Sequence, residues 1–338
     1  MDRFPAGQQP EKRKRSDLDS PELLQELREK GSQSNPDNAP SRRNFLLGGA
    51  AALAAMTSGM KLGDSDFHKK ANELKSVLEK LYGVRIVMGP PHGEEHIRGD
   101  MTTLETYANT LTLISQEFSK YPLGMIRKVT GKRTLEVRVV DKLTSTATTA
   151  SEVSAQEKEH PVTVSGLMEE LGNGNEGTRI TLNTSLQAAN LRRTIHHELN
   201  HRFSREWEDW SRHTRKWARH NSTSVLNPYR PVPLGTKADA PTNDRRFLTL
   251  FASSSAEEDQ AVCAEWMMTP RLHADFLERI ENEQDGNIKA ILAAKYDEII
   301  DTYKRWSSGK IDAAFWHRIA EQGKKEKLLA APRGATRC

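Results

Sequence analysis

Leu191-Arg192-Arg193-Thr194-Ile195-His196-His197-Glu198-Leu199-Asn200-His201 is the stretch from which the rest of the chain can be read. Residues four apart on an α-helix project from the same face, so His197 and His201 can meet one metal ion. Glu198 lies beside that face, within reach of a metal-bound water that it can deprotonate. Leu191, Ile195 and Leu199 supply an apolar stripe that would hold such a helix against a core. A strand, Thr178-Arg179-Ile180-Thr181-Leu182, directly precedes it and is expected to be an edge on which an extended peptide can align. Five-residue patterns also arise by chance in a chain with 11 histidines, and an exposed helix can carry His and Glu for solubility. The apolar stripe and the preceding strand favour the metal.

Open catalytic zinc sites usually have three protein ligands and a water, so a third ligand is expected downstream. The candidate segment runs Phe247-Leu248-Thr249-Leu250-Phe251-Ala252-Ser253-Ser254-Ser255-Ala256-Glu257-Glu258-Asp259-Gln260-Ala261-Val262. Ser255 suits a helix N-cap, and Glu257, Glu258 and Asp259 suit a first helical turn, which acidic residues favour without any metal. A helical wheel does not choose between Glu257 and Glu258.

His-Glu-x-x-His followed by Glu258-Asp259-Gln260-Ala261 after a Phe-x-Thr-x-aromatic-Ala-x-Ser stretch resembles the zinc-binding metallopeptidases of the gluzincin type, to which the catalytic domain of anthrax lethal factor is distantly related. The resemblance covers roughly 178–306. It implies an α+β, zincin-like fold: a small mixed sheet, then the His-Glu-x-x-His helix, then a mostly helical C-terminal half. It also implies one zinc ion per chain, Glu258 as third ligand, Glu198 as general base, and hydrolysis of a peptide or protein substrate. Two positions depart from the family. Phe251 stands where a Tyr is common, whose hydroxyl can steady the oxyanion; losing one such donor costs about two to three orders of magnitude in rate. Either another donor takes its place, such as Tyr229 or a histidine among His196, His213 and His220, or activity is weak. Val262 stands where some relatives keep an Asp that orients a ligand histidine.

Outward from this region the chain is ordinary for a soluble protein, with 36% hydrophobic and 28% charged residues. A net charge of +4 over 338 residues gives no concentrated basic face, so nucleic acid is not an expected partner. The two cysteines, Cys263 and Cys338, form no disulfide framework or zinc ribbon. Residues 1–40 are polar and unlikely to form a core, with a basic run at Lys12-Arg13-Lys14-Arg15 and one short helical candidate over 19–30. Ser41-Arg42-Arg43-Asn44-Phe45-Leu46-Leu47, leading into a Gly/Ala-rich stretch to Met56, resembles a twin-arginine export signal over 41–60. That apolar stretch is too short for a stable membrane anchor. The resemblance implies the twin-arginine machinery as a partner and a periplasmic or extracellular location. Delivery as a secreted effector into a host cell is the alternative.

The working domain is expected over 61–330, with a tail at 331–338. Helices are expected over 66–81, 103–121 and 288–303, strands over 84–88 and 134–140, a surface loop over 143–160 and a Pro-rich loop over 227–242. His92-Gly93-Glu94-Glu95-His96 matches the inverted zinc-peptidase pattern, but Pro90, Pro91 and Gly93 argue for a loop rather than the helix it needs. Trp207, Trp210 and Trp217 are expected to pack rather than bind nucleic acid, Trp306 and Trp316 to sit in the core, and Cys263 to be inert. Two further readings stand beside the peptidase: a zinc-binding protein with weak or no turnover, and a non-enzymatic interaction protein.

Overall fold

The computed structural model describes residues 63–90, 97–131, 133–145, 162–171, 177–206, 210–221, 228–230, 232 and 239–330. The export-like segment, the polar leader, the tail at 331–338, Trp207 and the motif at His92–His96 lie outside them. The first half reads α1 (Asp64–Tyr82), β1 (Val84–Met88), β2 (Ile97–Asp100), α2 (Leu104–Phe118), α3 (Met125–Thr130), β3 (Thr134–Ser145), β4 (Val162–Thr163), β5 (Gly166–Leu171) and β6 (Gly177–Asn183). The second half is helical: α4 (Ala188–Arg205), α5 (Trp210–His220), α6 (Ala256–Met268), α7 (Pro270–Asn282), α8 (Gly286–Trp306) and α9 (Ala313–Ala330). The fold is α+β, a mixed sheet followed by helices.

The main path of the sheet is β1-β3-β6-β5, with β2 and β4 pairing the far end of β3. β1 and β6 flank β3 in parallel, Ile86 opposite Val137 and Ile180 opposite Val137, while β5 returns antiparallel to β6. Strand alternation sends Ile86, Leu135, Val137, Val139, Ile180 and Leu182 into the main core. The opposite face carries charge: Arg138 Nη2 and Arg179 Nε meet the Glu136 carboxylate at 2.9 and 2.8 Å.

Two expectations change here. β6 is interior, paired on both sides and buried at every position, so 178–182 is not an edge; the edge beside α4 is β5. β3 runs five residues past Val140, to Ser145, because Val140 and Leu143 build a second small core with Ile97. The first helix starts at Asp64 and ends at Tyr82, and the second is capped by Thr103, whose hydroxyl accepts the Thr106 N–H at 3.2 Å. Trp217, Trp306 and Trp316 are buried packing residues, as expected.

Candidate metal centre

Three stripes on α4 account for the centre. Leu191, Ile195, Leu199 and Phe203 enter the core, none more than 3% exposed. The neighbouring stripe, His196, Asn200 and Ser204, is polar and just as deeply placed, so each member needs a partner. His196 meets the Tyr121 hydroxyl at Nδ1 and Glu117 Oε2 at Nε2, both at 2.8 Å. Asn200 Nδ2 donates to the Tyr303 hydroxyl, and Ser204 Oγ to Gln260 Oε1. The third stripe, His197 and His201, faces α6.

α6 begins as its sequence dictates: Ser255 Oγ accepts the Glu258 N–H at 3.1 Å. Its first turn brings Glu258, and not Glu257, to the two histidines. Glu258 Oε2 lies 3.0 Å from His197 Nε2 and 3.3 Å from His201 Nε2, and the two Nε2 atoms are 3.1 Å apart. This is a nearly equilateral triangle. Ligands at zinc-like bond lengths in a tetrahedron are separated by about 3.3 Å, so the three atoms match one face of such a site. With neutral imidazoles turned this way, all three are acceptors without a proton to share, the arrangement a cation resolves. These three side chains form the group among the described residues able to hold a metal ion.

Charge tells the same story. Burial acts to lower the pKa of His197, but the carboxylates of Glu258 and Glu265 outweigh it and hold the ring well above its ordinary value. Burial would raise Glu258, yet the charge on His201 and hydrogen bonds from both histidines hold its carboxyl far below the usual range. Glu198 is 7% exposed, and burial lifts its pKa against the pull of His197 and His201.

The Glu198 carboxylate faces the edge strand. A Cβ at Gly166 would lie 2.3 Å from Thr194 Cγ2 and 3.2 Å from Glu198 Oε1, so β5 approaches α4 as closely as glycine permits. The Asn183 N–H donates to the Ser165 carbonyl, which fixes the phase of the ladder. By alternation, Gly166, Met168 and Glu170 turn their backbone N–H and C=O groups away from β6, towards the open edge.

Several expected residues sit elsewhere. The Tyr229 hydroxyl lies 2.7 Å from Asn221 Nδ2 and 3.2 Å from Asp259 Oδ2, inside a buried cluster. His196 is enclosed by Glu117 and Tyr121, His213 Nε2 meets Gln260 at 2.6 Å, and His220 faces Glu298. The Phe251 ring is 6.0 Å from that of His197. Cys263 is buried, and burial pushes its thiol well up.

Sequence reasoning missed Glu265 and Arg193. Glu265 Oε2 lies 3.2 Å from His197 Nδ1, and Arg193 Nε donates to Glu265 Oε1 at 2.6 Å. Seven residues make about two helical turns, so Glu265 follows Glu258 along one face of α6. That spacing was the available signal.

No family model matches the chain, and no curated protein does. A solved structure, of a putative zinc-binding metallo-peptidase from Bacteroides caccae, aligns at a TM-score of 0.45 and 15% identity, covering 78% of this chain and 95% of that one.

Proposed function

We propose that this chain is a zinc-dependent metallopeptidase in which His197, His201 and Glu258 hold the metal and Glu198 is the general base. The observation that carries this is the triangle of His197 Nε2, His201 Nε2 and Glu258 Oε2, with edges of 3.0 to 3.3 Å. Zinc held by His197, His201 and Glu258 would supply Lewis-acid polarisation of a scissile carbonyl and a water with a pKa of about 7. Glu198 accepts a proton at its carboxylate and returns it to the leaving amine; burial moves its pKa towards neutrality, where a group serves both tasks best. An extended peptide adds to the sheet along β5, pairing with the outward backbone groups of Gly166, Met168 and Glu170. Gly166 sets the reacting bond beside Glu198.

Phe251 supports a second reading, a metal-binding protein with little turnover, since neither Phe251 nor Tyr229 offers a hydroxyl to the developing oxyanion. Metal analysis together with a broad peptide library separates the two. The peptidase requires about one zinc per chain, lost in Glu258→Ala and kept in Glu257→Ala and Glu198→Gln. It also requires cleavage that falls by about 10²–10⁴ in Glu198→Gln. Zinc without any cleaved peptide leaves the binding protein; no zinc in the wild type removes both. Export by the twin-arginine route belongs to the same proposal on the sequence of 41–56, and replacing Arg42 and Arg43 by Lys should block it.

A further inference from the structure

We propose that Glu265, held by Arg193, is a positioning residue that makes His197 a metal ligand through Nε2; this rests on His197, His201 and Glu258 binding the metal. An imidazole can present either nitrogen, and the hydrogen bond at the other one decides which. Glu265 Oε2 stands 3.2 Å from Nδ1 and, as a carboxylate, can only accept. The ring proton therefore sits on Nδ1, and the Nε2 lone pair points into the triangle with His201 and Glu258.

The carboxylate that does this is itself fixed. Glu265 is 3% exposed, so both of its carboxylate oxygens need partners within the protein. Arg193 Nε donates to Oε1 at 2.6 Å and supplies the opposite charge, leaving Oε2 free for the histidine. Arg193 stands one turn before His197 on α4, so one helix provides the ligand and the cation that secures the ligand's partner. Its Nη1 reaches outward to Asp239 Oδ2 at 3.9 Å. The sequence Asp239–Arg193–Glu265–His197 thus connects an exposed loop to the metal position. Val262, four residues after Glu258, is 1% exposed in the core and takes no part.

The test measures zinc affinity, the visible absorption of the cobalt-substituted protein and the His197 ring N–H resonance, in wild type, Glu265→Gln and Arg193→Gln. Removing such an outer partner typically costs about 10–100-fold in metal affinity, and Glu265→Gln should show that loss together with shifted cobalt bands and a moved or vanished ring N–H signal. Arg193→Gln should show a smaller loss in the same direction. It is also the safer variant, since its side chain is 16% exposed against 4% for Glu265. A purely structural role would lower the unfolding midpoint and leave the cobalt spectrum and the ring resonance of the folded protein alone. Unchanged affinity and spectra in both variants overturn the inference while the ligand set stands. A wild type that takes up no zinc overturns the ligand set and the inference together.

Discussion

Glu258 and Asp259 are consecutive residues on α6, and their surroundings are opposite in kind. Glu258 meets two histidine nitrogens that have no proton to offer when neutral. Asp259 is fully buried and meets only donors: Trp217 Nε1 at 2.9 Å, Asn221 Nδ2 at 2.9 Å, the Tyr229 hydroxyl at 3.2 Å and Lys295 Nζ at 2.8 Å. Lys295 in turn donates to the Arg246 carbonyl and lies over the Phe247 ring. One carboxylate is saturated by protein and has nothing left to bind. The other is short of protons and calls for a cation. Charge does not distinguish them, although Asp259 is the more deeply buried; the count of donors does.

The comparison can be broken most easily at Asp259. Asp259→Ala leaves Lys295 charged and buried without its partner, and the metal-free protein should lose about 3–5 kcal/mol in urea unfolding. A loss under 1 kcal/mol would mean that the cluster is not the anchor described. His273 offers a pH-dependent counterpart, a fully buried ring beside the Tyr296 hydroxyl at 3.0 Å, with burial pulling its pKa down to about 4. A depressed histidine leaves stability intact above its unfolded pKa of about 6.5 and removes it as pH falls towards 4. Over that interval the term approaches about 3 kcal/mol. Unfolding at pH 7.5 and pH 4.5 should therefore show a smaller acid loss in His273→Gln than in wild type.

On the Glu258 side the expected effect appears only with metal. Zinc at a hundred times its dissociation constant should raise wild-type stability by about 2.7 kcal/mol. Glu258→Ala should gain little, while Glu257→Ala should gain as much as wild type. Equal gains in all three would place the metal elsewhere. The smallest effect is expected at the edge strand. Gly166→Ala forces a methyl against Thr194 and Glu198, an overpacking of about 1–3 kcal/mol, and should lower turnover while zinc content holds. Wild-type turnover in that variant would show that β5 does not set the position of Glu198.

Much of this was legible along the chain because it is local. The i, i+4 spacing of His197 and His201 places them on one face wherever the helix forms, and Ser255 caps α6 through a hydroxyl three residues from the N–H it accepts. Leu191, Ile195 and Leu199 announce the buried side of α4. What the chain did not announce concerns partners on other elements. The Tyr229 hydroxyl is engaged by Asn221 and Asp259, a cluster no local pattern records. The strand 178–182 alternates like an edge strand, yet β3 and β5 both pair with it.

By itself, the sequence determined the strongly periodic features: the longer helices and the three central strands, the apolar face of the His197 helix, and which two histidines can share a metal. The tertiary structure alone brought Glu258 rather than Glu257 to the two histidines, placed Glu265 behind His197, and separated the carboxylate beside the histidines from the one paired with Lys295. The physical reason is range. Periodicity is a property of a few consecutive residues, whereas the partner of a buried polar group is whatever a distant element brings within about 3 Å. His197 and Glu265 are 68 residues apart, and the seven-residue step from Glu258 to Glu265 hints at the contact without naming the ring it meets.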